Sequence, residues 1–196
     1  MANYYIFGDV ETTGLSEQTE RMTEIALVRT DEQFNIIDTF QMLINPERVI
    51  SAKITELTGI TEEMVENEKK YIAAYPEING WWFKGIEEGD KNIFCAHNAP
   101  FDIKFINHGA NEFLEKPLII DWIDTVSLAR ELYPFWRNHK LDTCAKKFGV
   151  VNENHHRAMN DTMVLYHIGK KLISEAYERG LDPINFRTTK KLHYGK

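Results

Sequence analysis

The sequence predicts a single α/β domain, and three observations predict it. Five short runs rich in β-branched and aromatic residues carry strand patterning. The segments between and after the later runs place apolar residues at helical spacing. No repeat, low-complexity stretch or interdomain linker interrupts the 196 residues. A chain of this length buries a core without help from a disulfide or structural metal. With 43% hydrophobic and 27% charged residues it is ordinary globular material, which excludes a disordered or fibrous protein.

Tyr4 to Val10 reads as the first strand, closed by a Thr12-Thr13-Gly14 turn. Side chains alternate along a strand, so Asp9 and Glu11 share a face at its end. Two carboxylates held side by side repel each other and call for a compensating cation or donors. Met22 to Thr30 and Phe34 to Asn45 alternate apolar and polar residues across Asp31-Glu32-Gln33, as a hairpin. Ser51 to Leu57 reads as a short helix stopped by Gly59, and Thr61 caps another turn that opens on Glu62 and Glu63. Ile72 to Ile86 has helical spacing, with Trp82, Phe83 and Ile86 in the core, although Pro76 must kink it or start a new segment.

Asn92 to Ala96 is a fourth strand, leaving through His97-Asn98-Ala99-Pro100-Phe101-Asp102 into a helix that Pro100 suits at its first turn. Leu118 to Asp124 is the fifth strand. Helices follow over Thr125 to Leu132, over about Leu141 to Phe148 with Gly149 as stop, and from about Ala158 to Arg179 with Gly180 as terminator. Leu165, Gly169, Leu172 and Ala176 form one stripe of the last helix. Residues 1–180 therefore form the domain, and residues 181–196 a short basic tail. Cys95 and Cys144 lack the spacing of a zinc site or a disulfide framework and read as buried, reduced thiols.

The net charge of −7 argues against a protein that coats nucleic acid, since phosphate binding is dominated by Lys and Arg, but leaves room for an enzyme that grips one strand end. Basic residues collect late, at Arg137, His139, Lys140, Lys146 and Lys147, and in the tail at Arg187, Lys190, Lys191, His193 and Lys196. A solvated helix face or loose tail accounts for such clusters, and for the tail it is the favoured reading. Met1-Ala2-Asn3-Tyr4 shows no basic segment leading an apolar core, and no apolar stretch reaches the ~20 residues that span a bilayer. The expectation is a cytoplasmic protein with no membrane partner.

Three acidic sites stand in chain order: Asp9 with Glu11, then Asp102, then Asp161, the last preceded by His155-His156-Arg157-Ala158-Met159-Asn160. These segments resemble the three motifs of the DEDD (DnaQ-like) 3′–5′ exonuclease superfamily, histidine subtype, the family of the proofreading epsilon subunit of bacterial DNA polymerase III and of ribonuclease T. Leu43-Ile44-Asn45-Pro46, Leu57-Thr58-Gly59-Ile60-Thr61 and Asp124-Thr125 extend the resemblance to roughly residues 4–175. It implies a ribonuclease H-like fold, with a central mixed five-stranded sheet flanked by helices.

The resemblance further implies that Asp9, Glu11, Asp102 and Asp161 hold two Mg²⁺ or Mn²⁺ ions, hard cations that prefer oxygen ligands. His156 takes the role of general base. His155 is the competing candidate, and the Ala158 register favours His156. Two ions about 4 Å apart stabilise the attacking and leaving oxygens of a phosphoryl displacement, and nucleoside 5′-monophosphates leave from a 3′ end. By the same likeness Thr12, Thr13 and Gly14 receive the terminal nucleotide, Leu15 wedges against its base, Phe101 packs near its sugar, and His97 and Asn98 line the mouth. At these sites the plain structural reading weighs more heavily: Leu15 and Phe101 as core, and Asn98 as a turn residue.

Single-stranded 3′ ends are the implied partner, DNA favoured over RNA, with an exoribonuclease and a non-catalytic binding module as the competing readings. A proofreading role implies a DNA polymerase partner, since this chain holds no polymerase region. Nothing in the chain fixes a monomer or a dimer.

Overall fold

The computed structural model describes residues 1–114, 116–151 and 157–187. His155 and His156, and with them the assignment of the base, lie outside the described residues, as do Lys190, Lys191, His193 and Lys196 of the tail. Five strands form one mixed sheet: β1 (Asn3–Thr12), β2 (Met22–Thr30), β3 (Ile36–Leu43), β4 (Lys91–Ala96) and β5 (Asp121–Asp124). Their order is β3-β2-β1-β4-β5, with β1–β2 and β2–β3 antiparallel and β1–β4 and β4–β5 parallel. Strand β1 is thus central, and its C-terminal end carries Asp9 and Glu11.

The helices are α1 (Ala52–Thr58), α2 (Glu62–Val65), α3 (Tyr71–Phe83), α4 (Ala99–Leu114), α5 (Thr125–Leu132), α6 (Leu141–Phe148) and α7 (Ala158–Glu178). Strand alternation sorts the core into two layers. Ile6 and Val10 face α3 and α4 with Leu27, Phe94, Tyr75 and Phe105, whereas Tyr5 and Phe7 face α5, α6 and α7 with Val28, Leu128, Cys144 and Ile168. Asp9 and Glu11 continue the odd-numbered face, so they point toward the layer that α7 occupies. Both cysteines are buried and unbridged.

Helix α7 approaches β1 closely. A Cβ at Gly169 would fall 2.6 Å from Phe7 Cε1, so only glycine lets the helix seat there. It is also tied to the hairpin: Thr162 Oγ1 donates to Ala26 O at 3.3 Å and the Tyr166 hydroxyl to Phe34 O at 2.9 Å.

Several elements depart from their sequence pattern for local reasons. Pro76 does not split α3; it falls on the exposed face, while Tyr71, Ala74, Tyr75, Ile78, Trp81 and Trp82 bury the other. That helix stops at Phe83, itself half exposed, where buried Arg29 donates to the carbonyls of Trp81, Trp82 and Lys84 at 2.6, 2.8 and 2.9 Å. The predicted start of the fifth strand at Leu118 also moves, to Asp121, because Asn107 pairs both the N–H and the C=O of Ile119, at 2.7 and 2.8 Å. Phe34 adopts a left-handed turn conformation, so β3 starts at Ile36. Among the described residues no helix is long and apolar enough to cross a membrane.

Candidate active site

The acids that are far apart in sequence meet at the end of β1. Carboxylate oxygens of Asp9, Glu11 and Asp161 lie within 4.8 Å of one another. Strand alternation supplies the first two, and the first turn of α7 brings Asp161, 8% exposed, over them. Asp102, 3% exposed in the first turn of α4, sits beside this group, and its Oδ1 accepts the Val10 N–H at 3.2 Å. Of the neighbouring charges it acts most strongly on Asp9.

Crowding and burial hold Asp9, Glu11 and Asp102 out of their ordinary range. Burial pushes the Asp9 carboxyl well up, and Asp102, Glu11, Asp161 and Glu24 add to the effect. Asp102 is pushed up to about 8, mainly by burial, against the downward pull of the Val10 amide. Glu11 is pushed up to about 7 by burial and by the Asp161 and Glu24 carboxylates, while Arg157 pulls it down. An all-oxygen set of repelling carboxyls suits a hard divalent cation, which converts that repulsion into attraction.

The turn after β1 is internally braced. Thr12 Oγ1 donates to Gly14 O at 2.7 Å; Thr13 Oγ1 donates to Glu20 Oε2 at 2.5 Å and accepts the Arg21 N–H at 3.1 Å. Leu15 is 80% exposed at its tip, so it is not core. Lys104 of α4 links this tip to Phe101: its ammonium donates to Leu15 O and stands 5.1 Å from the centre of the Phe101 ring. Phe101 is half-buried, its ring 5.2 Å from that of Phe105.

Asn98 is exposed and left-handed, with φ 77°. Buried Asp124 holds that turn, accepting the N–H groups of Asn98 at 3.0 Å and Ala99 at 3.3 Å while it caps α5 through Val126 and Ser127. His97 uses both ring nitrogens internally: Nδ1 lies 2.9 Å from Thr125 Oγ1 and Nε2 lies 2.8 Å from His139 O. Burial drives its pKa down to about 4. A neutral ring tied at both ends braces the β4–α4 turn from behind.

Sequence reasoning passed over Glu24. It stands directly opposite Glu11 in the β1–β2 register and is fully buried. Its carboxylate accepts Arg157 Nη2 at 3.1 Å, Arg157 Nε at 3.4 Å, the Ala158 N–H at 3.1 Å and Gln41 Nε2 at 2.8 Å. The available signal was a lone acid in the otherwise apolar run Ile25-Ala26-Leu27-Val28 and its flank, on the same alternation as Glu11.

The exonuclease family model RNase_T matches residues 6–168, which includes all four acids. DNA polymerase III PolC-type of Bacillus subtilis (strain 168) is 38% identical over 182 residues, covering 90% of this chain but only 12% of that protein. The chain thus spans about one-eighth of the length of that relative. A solved structure described as exonuclease X in complex with 5′ overhanging duplex DNA aligns with a TM-score of 0.67 at 24% identity, covering 92% of this chain and 95% of the other. Another, a 3′-exonuclease described by its 3′-end specific recognition of a histone mRNA stem-loop, aligns with a TM-score of 0.74 at 20% identity over 89% of this chain and 64% of the other. At those identities the two structures establish the shared ribonuclease H-like fold. On a family match that spans most of its length, the chain belongs to the DnaQ-like exonuclease family.

Proposed function

We propose that this chain is a metal-dependent 3′–5′ exonuclease that trims single-stranded DNA and releases nucleoside 5′-monophosphates. The observation that carries the reading is the meeting of Asp9, Glu11 and Asp161 oxygens within 4.8 Å, with Asp102 beside them. Asp9, Glu11, Asp102 and Asp161 would hold two Mg²⁺ or Mn²⁺ ions. When bound, such ions supply electrostatic stabilisation of the attacking and leaving oxygens of an in-line displacement.

The chain's own residues do the rest. His156, assigned by its register five residues before Asp161, removes the proton of the attacking water, a task suited to an imidazole with an ordinary pKa near 6.5. The braced turn Thr12-Thr13-Gly14 receives the terminal nucleotide through its backbone. Exposed Leu15 stacks on the terminal base, and Lys104 fixes both that tip and the ring of Phe101 beneath the sugar. His97, with both nitrogens committed, supports Asn98 at the mouth and takes no part in proton transfer.

The long alignment to a PolC-type polymerase supports work alongside a DNA polymerase. An RNA-trimming activity is the second reading, favoured by the fold shared with the histone mRNA 3′-exonuclease. A gel time course on matched 5′-labelled DNA and RNA oligonucleotides, with Mg²⁺, Mn²⁺ or EDTA and a 3′-phosphate-blocked copy of each, tests the proposal. Stepwise shortening of the open DNA strand only with metal supports it. Faster loss of the RNA strand moves the assignment to an exoribonuclease, and folded protein that cuts neither strand refutes both.

A further inference from the structure

A helix begins with N–H groups that have no partner inside it, and its first residue commonly supplies one. Helix α7 lacks that device, because Arg157 stands at its N-cap position and makes no capping hydrogen bond from its side chain. The acceptor comes from a different element: Glu24 of β2 takes the Ala158 N–H at 3.1 Å. The same carboxylate takes two guanidinium donors from Arg157, so one buried group grips the helix start by main chain and side chain together.

The location makes this pair costly unless it serves a purpose. Glu24 and Glu11 are directly opposed on antiparallel strands, an arrangement in which like charges destabilise a sheet. Glu24 is 0% exposed, whereas the Arg157 side chain retains 38% of its exposure. Buried ion pairs add little net stability beside apolar residues of similar shape. A packed leucine in place of Glu24 would satisfy the core but leave the first turn of α7 without its acceptor. That turn carries Asp161.

We propose that Glu24 and Arg157 form a positioning latch, which clamps the first turn of α7 onto β2 so that Asp161 meets Asp9 and Glu11. Neither residue touches the reacting atoms. Gln41, donating to Glu24 Oε1 from β3, extends the clamp across the hairpin. The inference rests on the nuclease reading for its link to catalysis, but its structural half stands apart from activity.

The test uses Arg157→Ala, Arg157→Lys and Glu24→Gln. Arg157→Ala removes only a partly exposed side chain, and Glu24→Gln keeps the shape of the acceptor. Hydrogen exchange of the peptide spanning Ala158 to Thr162 is followed in metal-free protein, with the Mn²⁺ midpoint of thermal stabilisation and steady-state kinetics on 5′-labelled single-stranded DNA. The latch predicts at least about tenfold faster exchange at the start of α7 in Arg157→Ala and Glu24→Gln, and a Mn²⁺ midpoint raised about threefold or more. It also predicts kcat reduced tenfold or more with KM moved less than threefold, and partial recovery in Arg157→Lys. A folded Arg157→Ala protein with wild-type exchange at α7 overturns the proposal. So does a variant whose Tm falls while kcat and Mn²⁺ midpoint hold, since that pattern describes a purely structural pair. Wild-type protein that cuts no strand refutes the nuclease reading instead, and the latch is then decided by exchange and Mn²⁺ midpoint alone.

Discussion

Glu11→Gln is expected to stabilise the metal-free protein while it disables the site, and both effects have one origin. Burial, Asp161 and Glu24 push the Glu11 carboxyl from 4.5 up to about 7. Unfolding returns it to the ordinary value. Below about pH 4.5 the group is protonated in both states, and its full contribution to stability is present. As pH rises through about 7 the unfolded chain has already released a proton that the folded chain still holds, so stability is lost across that window. The shift corresponds to about 3 kcal/mol at ~1.4 kcal/mol per unit. Because Glu11 is only partly buried, solvent screening reduces this to about 2 kcal/mol. Glutamine has no charge to bury and escapes the penalty. For a domain of this size ~2 kcal/mol moves Tm by about 4–8 °C.

The assay is thermal or urea unfolding of both proteins in EDTA at several pH values, repeated with saturating Mg²⁺. The variant should exceed wild type in EDTA at about pH 8, with the gap closing toward about pH 4.5. Saturating Mg²⁺ should reverse the order, because an ion that binds only the folded state stabilises the protein with the intact ligand set more strongly. A variant less stable than wild type in EDTA at about pH 8, or a gap that ignores pH, would refute the claim that Glu11 is held against its neighbours' charge.

Three further outcomes follow from the geometry. Asp161→Ala, like Asp9→Ala, should remain folded and lose nuclease activity by at least about a hundredfold, read on 5′-labelled strands; substantial residual turnover contradicts the ligand assignment. His156→Ala should lower kcat far more than it raises KM, and wild-type kcat should rise with pH through the imidazole range near ~6.5; a flat profile with chemistry rate-limiting removes His156 from the base role. Gly169→Ala places a methyl group 2.6 Å from Phe7 Cε1, so urea unfolding should show a loss of about 1–3 kcal/mol and kcat should fall as α7 lifts Asp161 from β1; full tolerance would mean that the close approach does not seat the helix.

What could be read from the sequence was local in origin. Alternation along β1 put Asp9 and Glu11 on one face, and the structure keeps them there because the same odd-numbered face begins with buried Tyr5 and Phe7. The stops at Gly59 and Gly149 were equally readable, since both take the left-handed conformation that ends α1 and α6. The features that escaped depend on distant partners. Asn107 replaces a strand neighbour for Ile119, and His97 is spent on Thr125 and His139, facts that no short window contains. Glu24 escaped because an alternating polar position normally faces water, whereas α7 covers this one.

Core and site share the same two surfaces. The face of β1 that packs against α7 begins with Tyr5 and Phe7 and ends with Asp9 and Glu11. The apposed helix runs the other way in character, from Asp161 in its first turn to Val164, Leu165, Ile168 and Leu172 in its body. The apolar halves meet first in energetic weight, with Gly169 admitting Phe7, and their packing forces the acidic halves together. The raised pKa values of Asp9, Asp102 and Glu11 are the electrostatic record of that forcing. A substitution that loosens the Phe7–Gly169 contact should therefore relieve the acids as it weakens the core, so lost activity and a lowered Glu11 pKa should appear together.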